Sequence, residues 1–236
     1  MAELIPTVLD DKTPPGEKEV FNFLYRGYEN WVALHSLDLA PWNKNLRTEI
    51  DFVVIVPEKG ILCIEVKSNK NITYDGNWYP KEIKRSPFKQ ALDARYSFYR
   101  NLSARAPEYS RIPVVHCCIF TSSRFQITSN LSVEPWILID SAKFRRYRKG
   151  TDLCKDLESI IDLSIKADSK LKNLSHEISR SDIKKIIELC LPIQKTNFNK
   201  REEIERREED ALKILIKHQR PLVNIAKSNK RVIVSG

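Results

Sequence analysis

No stretch of this chain approaches the roughly 18 consecutive apolar residues that a membrane-spanning helix needs. The start, MAELIPTVLDDKTPP, has neither the basic leader nor the apolar run of a secretory signal. Both absences point to a soluble, cytoplasmic protein with no membrane partner. No internal repeat and no low-complexity tract is present, so solenoid arrays and disordered linkers are set aside. The five cysteines, at 63, 117, 118, 154 and 190, are odd in number and form no C-x-x-C pair. That argues against a disulfide framework or a zinc cluster. Three of them lie in strand-like apolar runs and read as small buried hydrophobes.

What is present suits one domain of moderate size, or one domain with an extension. The 236 residues are 42% hydrophobic and 30% charged, enough for a sizeable core under a charged surface. Lysine and arginine outnumber the acids by 40 to 31, a net charge of +9. Such a balance favours a polyanionic partner, nucleic acid foremost.

Thr13-Pro14 reads as a cap followed by proline at a first helical position, opening a helix to about Tyr28. Its apolar stripe is Val20, Phe21, Leu24 and Tyr28. Glu17 falls at the end of that stripe, either as a core-facing acid or as first-turn compensation of the helix dipole. After the strand-like WVALHSLDL comes EIDFVVIVPEKGILCIEVKS, two β-branched runs around a Pro57–Gly60 turn. A three-residue loop, Glu58 to Gly60, pairs Pro57 with Ile61. That register sets Asp51 opposite Lys67 and diagonal to Glu65 on one sheet face. Ser86-Pro87 opens a second helix to about Ser103, with Phe88, Ala91, Leu92, Tyr96, Tyr99 and Leu102 as its stripe. IPVVHCCIFTS and PWILID are further strands, and helices are expected near 152–165, 181–190 and 199–219. The order of elements predicts a sheet with helices on its faces.

The hairpin carries the chemistry. Charges inside a core strand must be paired or must bind something. Two adjacent carboxylates repel, and a hard cation such as Mg²⁺ or Mn²⁺ relieves that repulsion, with waters and a phosphate completing its shell. A lysine beside it is suited to orienting a water or stabilising a phosphate in flight. The alternative is plain: Lys67 is an ion-pair partner of Asp51 or Glu65 at a strand end. Glu-x-Lys alone does not separate the two.

GEKEVFNFL, EIDFVVIVPEKGILCIEVKS and SPFKQALDARYSFYRNL together resemble the nuclease-related domain, NERD, of the PD-(D/E)xK nuclease superfamily, over roughly residues 14 to 145. The resemblance rests on Glu17, Ile50-Asp51, Glu65-x-Lys67 and Pro87-x-x-Gln90 in order. It implies an α/β fold with a central mixed β-sheet flanked by helices, restriction-endonuclease-like; the helical pattern from about Thr151 adds a helical C-terminal extension. Metal would be held by Asp51, Glu65 and the Val66 carbonyl, with Lys67 positioning or activating water. Glu17 matches the superfamily's auxiliary acid, and Gln90 the helix residue that reaches toward the site. Glu49 is an accessory candidate.

The tail, HQRPLVNIAKSNKRVIVSG, resembles the entrance to a superfamily-one, UvrD-like DNA helicase, with Gln219 matching the adenine-reading glutamine. The G-K-[ST] of a phosphate loop is not in the sequence, so ATP is expected only in a longer chain. The expected organisation is a nuclease-like domain at 1–150, a helical extension at 151–198, and at 199–236 a linker helix leading into a helicase domain. Nucleic-acid contacts are expected from Lys81, Lys84, Arg85 and Lys89, and from Arg145, Arg146 and Arg148 in KFRRYRK. There Phe144 and Tyr147 are candidate base-stacking rings. His116, in an apolar strand, reads as a core histidine. The mixed-charge segment at 200–210 suits an interdomain strut or a homo-oligomer contact. Two functions compete: a metal-dependent DNA nuclease, for DNA processing or defence against foreign DNA, and a non-catalytic DNA-binding or docking module for the helicase.

Overall fold

The computed structural model describes residues 1–39, 48–127, 131–174 and 177–191, all within one compact unit, Met1–Leu191. Expectations for the tail, Gln219 included, lie outside the described residues. The strands are β1 (Glu3–Ile5), β2 (Val32–Leu39), β3 (Thr48–Val56), β4 (Gly60–Lys67), β5 (Thr73–Tyr74), β6 (Trp78–Tyr79), β7 (Val114–Phe120) and β8 (Leu138–Ile139). The helices are α1 (Pro15–Tyr25), α2 (Pro87–Arg105), α3 (Ser141–Phe144), α4 (Gly150–Ala167), α5 (Ser169–Lys172) and α6 (Arg180–Cys190).

Six strands form one mixed sheet in the order β1-β2-β3-β4-β7-β8. The β2–β3 and β3–β4 pairs are antiparallel; the β1–β2, β4–β7 and β7–β8 pairs are parallel. The fold is therefore α/β with a central mixed sheet flanked by helices, consistent with a restriction-endonuclease-like architecture. β3 and β4 are apolar on both sides because each face is covered. One core joins Phe52, Val54 and Ile64 to Val20, Phe21 and Leu24 of α1 and Leu153, Leu157 and Ile161 of α4. The other joins Val53, Ile55, Ile61 and Cys63 to Ala94, Phe98 and Leu102 of α2 and Ile183 and Ile186 of α6. The helical stretch after residue 150 thus supplies part of both cores.

Two local readings are corrected. Pro14, not Thr13, is the residue before α1, with Pro15 at the first helical position and no side-chain cap. On α2 the buried residues are Phe88 and Ala91 in one core and Ala94, Phe98 and Leu102 in the other, while Tyr96 of the expected stripe is 48% exposed. The helix passes from one core to the other, so no single stripe describes it. Ser86 caps it as expected, accepting from the Lys89 amide.

All five cysteines are unbridged, four of them buried and Cys190 half-buried. No helix among the described residues is long and apolar enough to cross a membrane.

Candidate active site

The β3–β4 hairpin turns one residue earlier than the sequence reading placed it. Val56 pairs with Gly60, so the loop is Pro57 to Lys59 with Glu58 in the left-handed region at φ 64°. Gly60 opens β4 at φ 150°, and a Cβ there would meet the Pro113 carbonyl oxygen at 2.5 Å. The register is shifted by two and its regular pairing ends at Phe52 opposite Ile64, one residue short of Asp51. Strand side chains alternate with period two, so a shift of two keeps these residues on the same sides. The expected grouping survives while its pairing is corrected.

At Asp51 the strand pair stops being regular. Val53 and Ile55 share a core with Ile50, which breaks the alternation between 50 and 53. On β2, Leu34 and Leu37 likewise share that core, across Ser36 at φ 52°. At this irregularity the Asp51 carboxylate accepts a hydrogen bond from the Val66 amide at 2.7 Å. A side chain has taken the place of a ladder carbonyl.

Three charged groups meet there. Lys67 Nζ lies 2.6 Å from Glu65 Oε1, and the Glu65 side chain is only 7% exposed. Burial pushes the Asp51 carboxyl well above the usual carboxylate range, and the neighbouring Glu65 adds to it, against the Val66 amide. Glu65 is raised too, chiefly by burial, against the attraction of Lys67. Burial works against the charge on Lys67, but Glu65 and then Asp51 outweigh it and its pKa is raised.

Glu17 raises both carboxyls electrostatically, which places it within range of the pair. Its own partner is a residue the sequence reading passed over: His35 Nε2 lies 2.7 Å from Glu17 Oε2. The imidazole sits between the Phe21 and Phe52 rings at 6.3 and 4.8 Å. Each acid therefore has its own partner: Val66 N–H, Lys67 or His35. Glu49 accepts from the Ser36 hydroxyl at 2.8 Å, close to the same irregularity. Gly16, at the start of α1, is buried; a Cβ there would lie 2.7 Å from Thr121 Oγ1 and 2.9 Å from Ser68 Cβ. This close approach brings Glu17 down onto the ends of β4 and β7.

Gln90 is half-buried on the first turn of α2 and makes no side-chain hydrogen bond with a described residue. Lys81, Lys84 and Lys89 are exposed and make no ion pair with a described residue, whereas Arg85 pairs with Asp93. In KFRRYRK, Arg145, Arg146 and Arg148 are exposed, and Arg145 pairs with Glu19 at 2.6 Å. Phe144 and Tyr147 are core residues, 1% and 9% exposed, packed against Phe23. They are not stacking platforms for bases.

Residues 13–121 match the nuclease-related domain family. The matched span runs from the entry of α1 to the end of β7. It contains Glu17, His35, Asp51, Glu65, Lys67 and Gln90 but not the 143–149 cluster. The match is to a family described as nuclease-related, over a little under half of the chain. No curated protein and no solved structure matches the chain.

Proposed function

We propose that this domain is a metal-dependent nuclease that hydrolyses DNA phosphodiester bonds. The observation that carries the reading is the Asp51–Glu65 pair, two largely buried carboxyls whose ionisation is opposed by burial and by each other, next to Lys67. Among the described residues no three His, Cys, Asp or Glu side chains come together to ligate an ion. The donor set is two carboxylates and the Val66 carbonyl, which suits a hard cation that keeps several waters, Mg²⁺ or Mn²⁺. Bound there, such an ion would supply Lewis acidity at a phosphate oxygen. The protein's part is separate from that. The Val66 amide fixes one Asp51 oxygen, Glu65 holds the Lys67 ammonium, and that ammonium is placed to orient a water or neutralise a phosphate. Glu17, fixed by His35, adds negative potential that favours a cation, and Gln90 reaches in from α2.

Lys81, Lys84, Arg85 and Lys89, with Arg145, Arg146 and Arg148, supply sequence-independent phosphate contacts. The likeness of residues 218–236 to a helicase entrance, Gln219 included, supports a nuclease–helicase fusion that uses ATP in DNA processing or defence. A cytoplasmic location and assembly through the 200–210 segment belong to the same reading.

One observation favours the competing module that binds DNA without cutting it: Lys67 already occupies the Glu65 carboxylate at 2.6 Å. Plasmid cleavage with Mg²⁺, Mn²⁺ or EDTA separates the two. The nuclease reading expects cleavage that needs the metal and falls at least about 100-fold in Lys67→Ala and Asp51→Ala. Cleavage unchanged in both variants, or salt-sensitive binding with no cleavage in any metal, overturns it.

A further inference from the structure

The edge of β7 is only partly covered. β8 pairs with Cys118 and Ile119 alone, so the strand before them has no neighbouring strand on that side among the described residues. In its place lies a cavity of about 650 Å³ between α2, β7, the segment before β8 and the α4–α5 junction. That volume falls within the range of roughly 300–1,000 Å³ typical of small-molecule sites. His116 on β7 faces Cys63, whereas Glu65 faces Cys118. The cavity is thus displaced from the acids by two residues along the strand, roughly 7 Å.

Its lining divides into two kinds. Phe88, Val133 and the half-buried Trp136 are apolar and aromatic. Arg95, His116 and Lys89 are the basic groups. The Arg95 side chain is 16% exposed; Nε donates to the Val114 carbonyl at 2.7 Å, covering one open backbone acceptor of the strand edge. Its nearest carboxylate, Asp168, stands 3.9 Å from Nη2, too far for a hydrogen bond, and Asp168 caps α5 by accepting from the Lys170 amide. The terminal guanidinium nitrogens therefore make no hydrogen bond with a described residue. The His116 ring makes none either. Burial and the Arg95 charge lower the His116 pKa to about 4, so its imidazole is neutral and offers one donor and one acceptor. Glu134 and Asp168 also line the cavity, so its formal charges balance.

We infer that this cavity is a binding site for a nucleoside monophosphate, with the base beside Trp136 and His116 and the phosphate on the Arg95 and Lys89 cations. A half-buried planar fork with unused terminal donors matches a phosphate's paired oxygens. An indole face matches a base of any sequence, and a neutral imidazole pairs with a base edge without adding charge. A bare anion would leave the apolar wall unfilled. An uncharged ring would leave the terminal guanidinium donors without a hydrogen-bond acceptor among the described residues. The choice of a nucleotide among aromatic anions rests on the nuclease reading; the site's geometry does not.

Calorimetry on the full 236-residue chain tests the site, with dAMP, dCMP, dGMP and dTMP as probes and inorganic phosphate and thymidine as partial ligands. At least one mononucleotide is expected to bind tenfold or more tighter than either partial ligand. Arg95→Lys and His116→Phe are each expected to weaken it at least fivefold, while Glu65→Gln leaves it unchanged. Should Arg95→Lys fail to fold by circular dichroism, Trp136→Ala, at a half-exposed position, carries the same expectation. No binding by any of the four, equal binding by phosphate alone, or loss in Glu65→Gln in place of these variants overturns the inference. A chain that cuts DNA yet binds no mononucleotide removes this site and leaves the nuclease. A chain that binds mononucleotide here yet cuts nothing does the reverse.

Discussion

Asp51 accepts the Val66 amide at 2.7 Å while the neighbouring Glu65 charge opposes its ionisation, so a strand's own hydrogen-bonding group holds one acid beside another. The arrangement costs stability. An acid whose pKa is raised by folding is bound to its proton more firmly in the native state, so stability falls as pH rises from the ordinary carboxylate range, near 4, through the raised value. Asp51→Asn keeps an acceptor for Val66 and removes the charge. In EDTA at pH 7 it should gain about 1 kcal/mol, or roughly 2–4 °C in Tm. The advantage should shrink toward pH 4, where the wild-type carboxyl is protonated. Melting curves across pH 4–8 check both the size and the trend.

His35 is the partner that keeps Glu17 in place. His35→Ala should leave a mostly buried carboxylate without its hydrogen bond, at a cost of about 1–3 kcal/mol. His35→Gln, which retains a donor, should recover part of it. Urea denaturation of the three proteins measures the difference.

Gly150 opens α4 against the end of α1. A Cβ there would lie 2.3 Å from the Phe23 carbonyl oxygen and 2.3 Å from the Arg26 carbonyl carbon. These are backbone atoms that no rotamer change can move. Gly150→Ala should cost at least about 2 kcal/mol, seen as a lower urea midpoint with little change in slope.

Lys81 and Lys84 are exposed and make no ion pair with a described residue. If they touch phosphates, each alanine variant should weaken DNA binding across all sequences and reduce the salt slope by about one. Binding titrations at several salt concentrations decide this. A variant with unchanged slope removes that lysine from the interface.

Much of the site was legible because strand chemistry is local. Asp51, Glu65 and Lys67 lie on two β-branched runs joined by a short turn, so they end up at the same end of one hairpin even when the register is misjudged by two. The turn itself was misplaced because Gly60 answers a distant demand, the approach of Pro113, and not the needs of the loop. His35 gave no signal: one histidine in an apolar strand looks like any other until α1 is laid across the sheet. Tyr96 and the KFRRYRK rings were misjudged for the same reason. Helical periodicity cannot show that α2 changes cores, and a basic cluster cannot show that its aromatics turn inward.

The unbridged cysteines give the molecule an internal clock. Cys63 on β4, Cys117 and Cys118 on β7 and Cys154 on α4 are all buried, and burial raises each thiol's pKa. Alkylating agents act on the exposed thiolate. Burial also raises the Cys190 thiol, to about 12, so it is exposure that should make half-buried Cys190 react faster than these four in the native protein. Mass spectrometry of timed iodoacetamide reactions should show the β4 and β7 thiols labelling together, at the rate at which the central sheet opens. That rate reports on the two strands that carry Glu65, Lys67 and His116, without any probe being added to them.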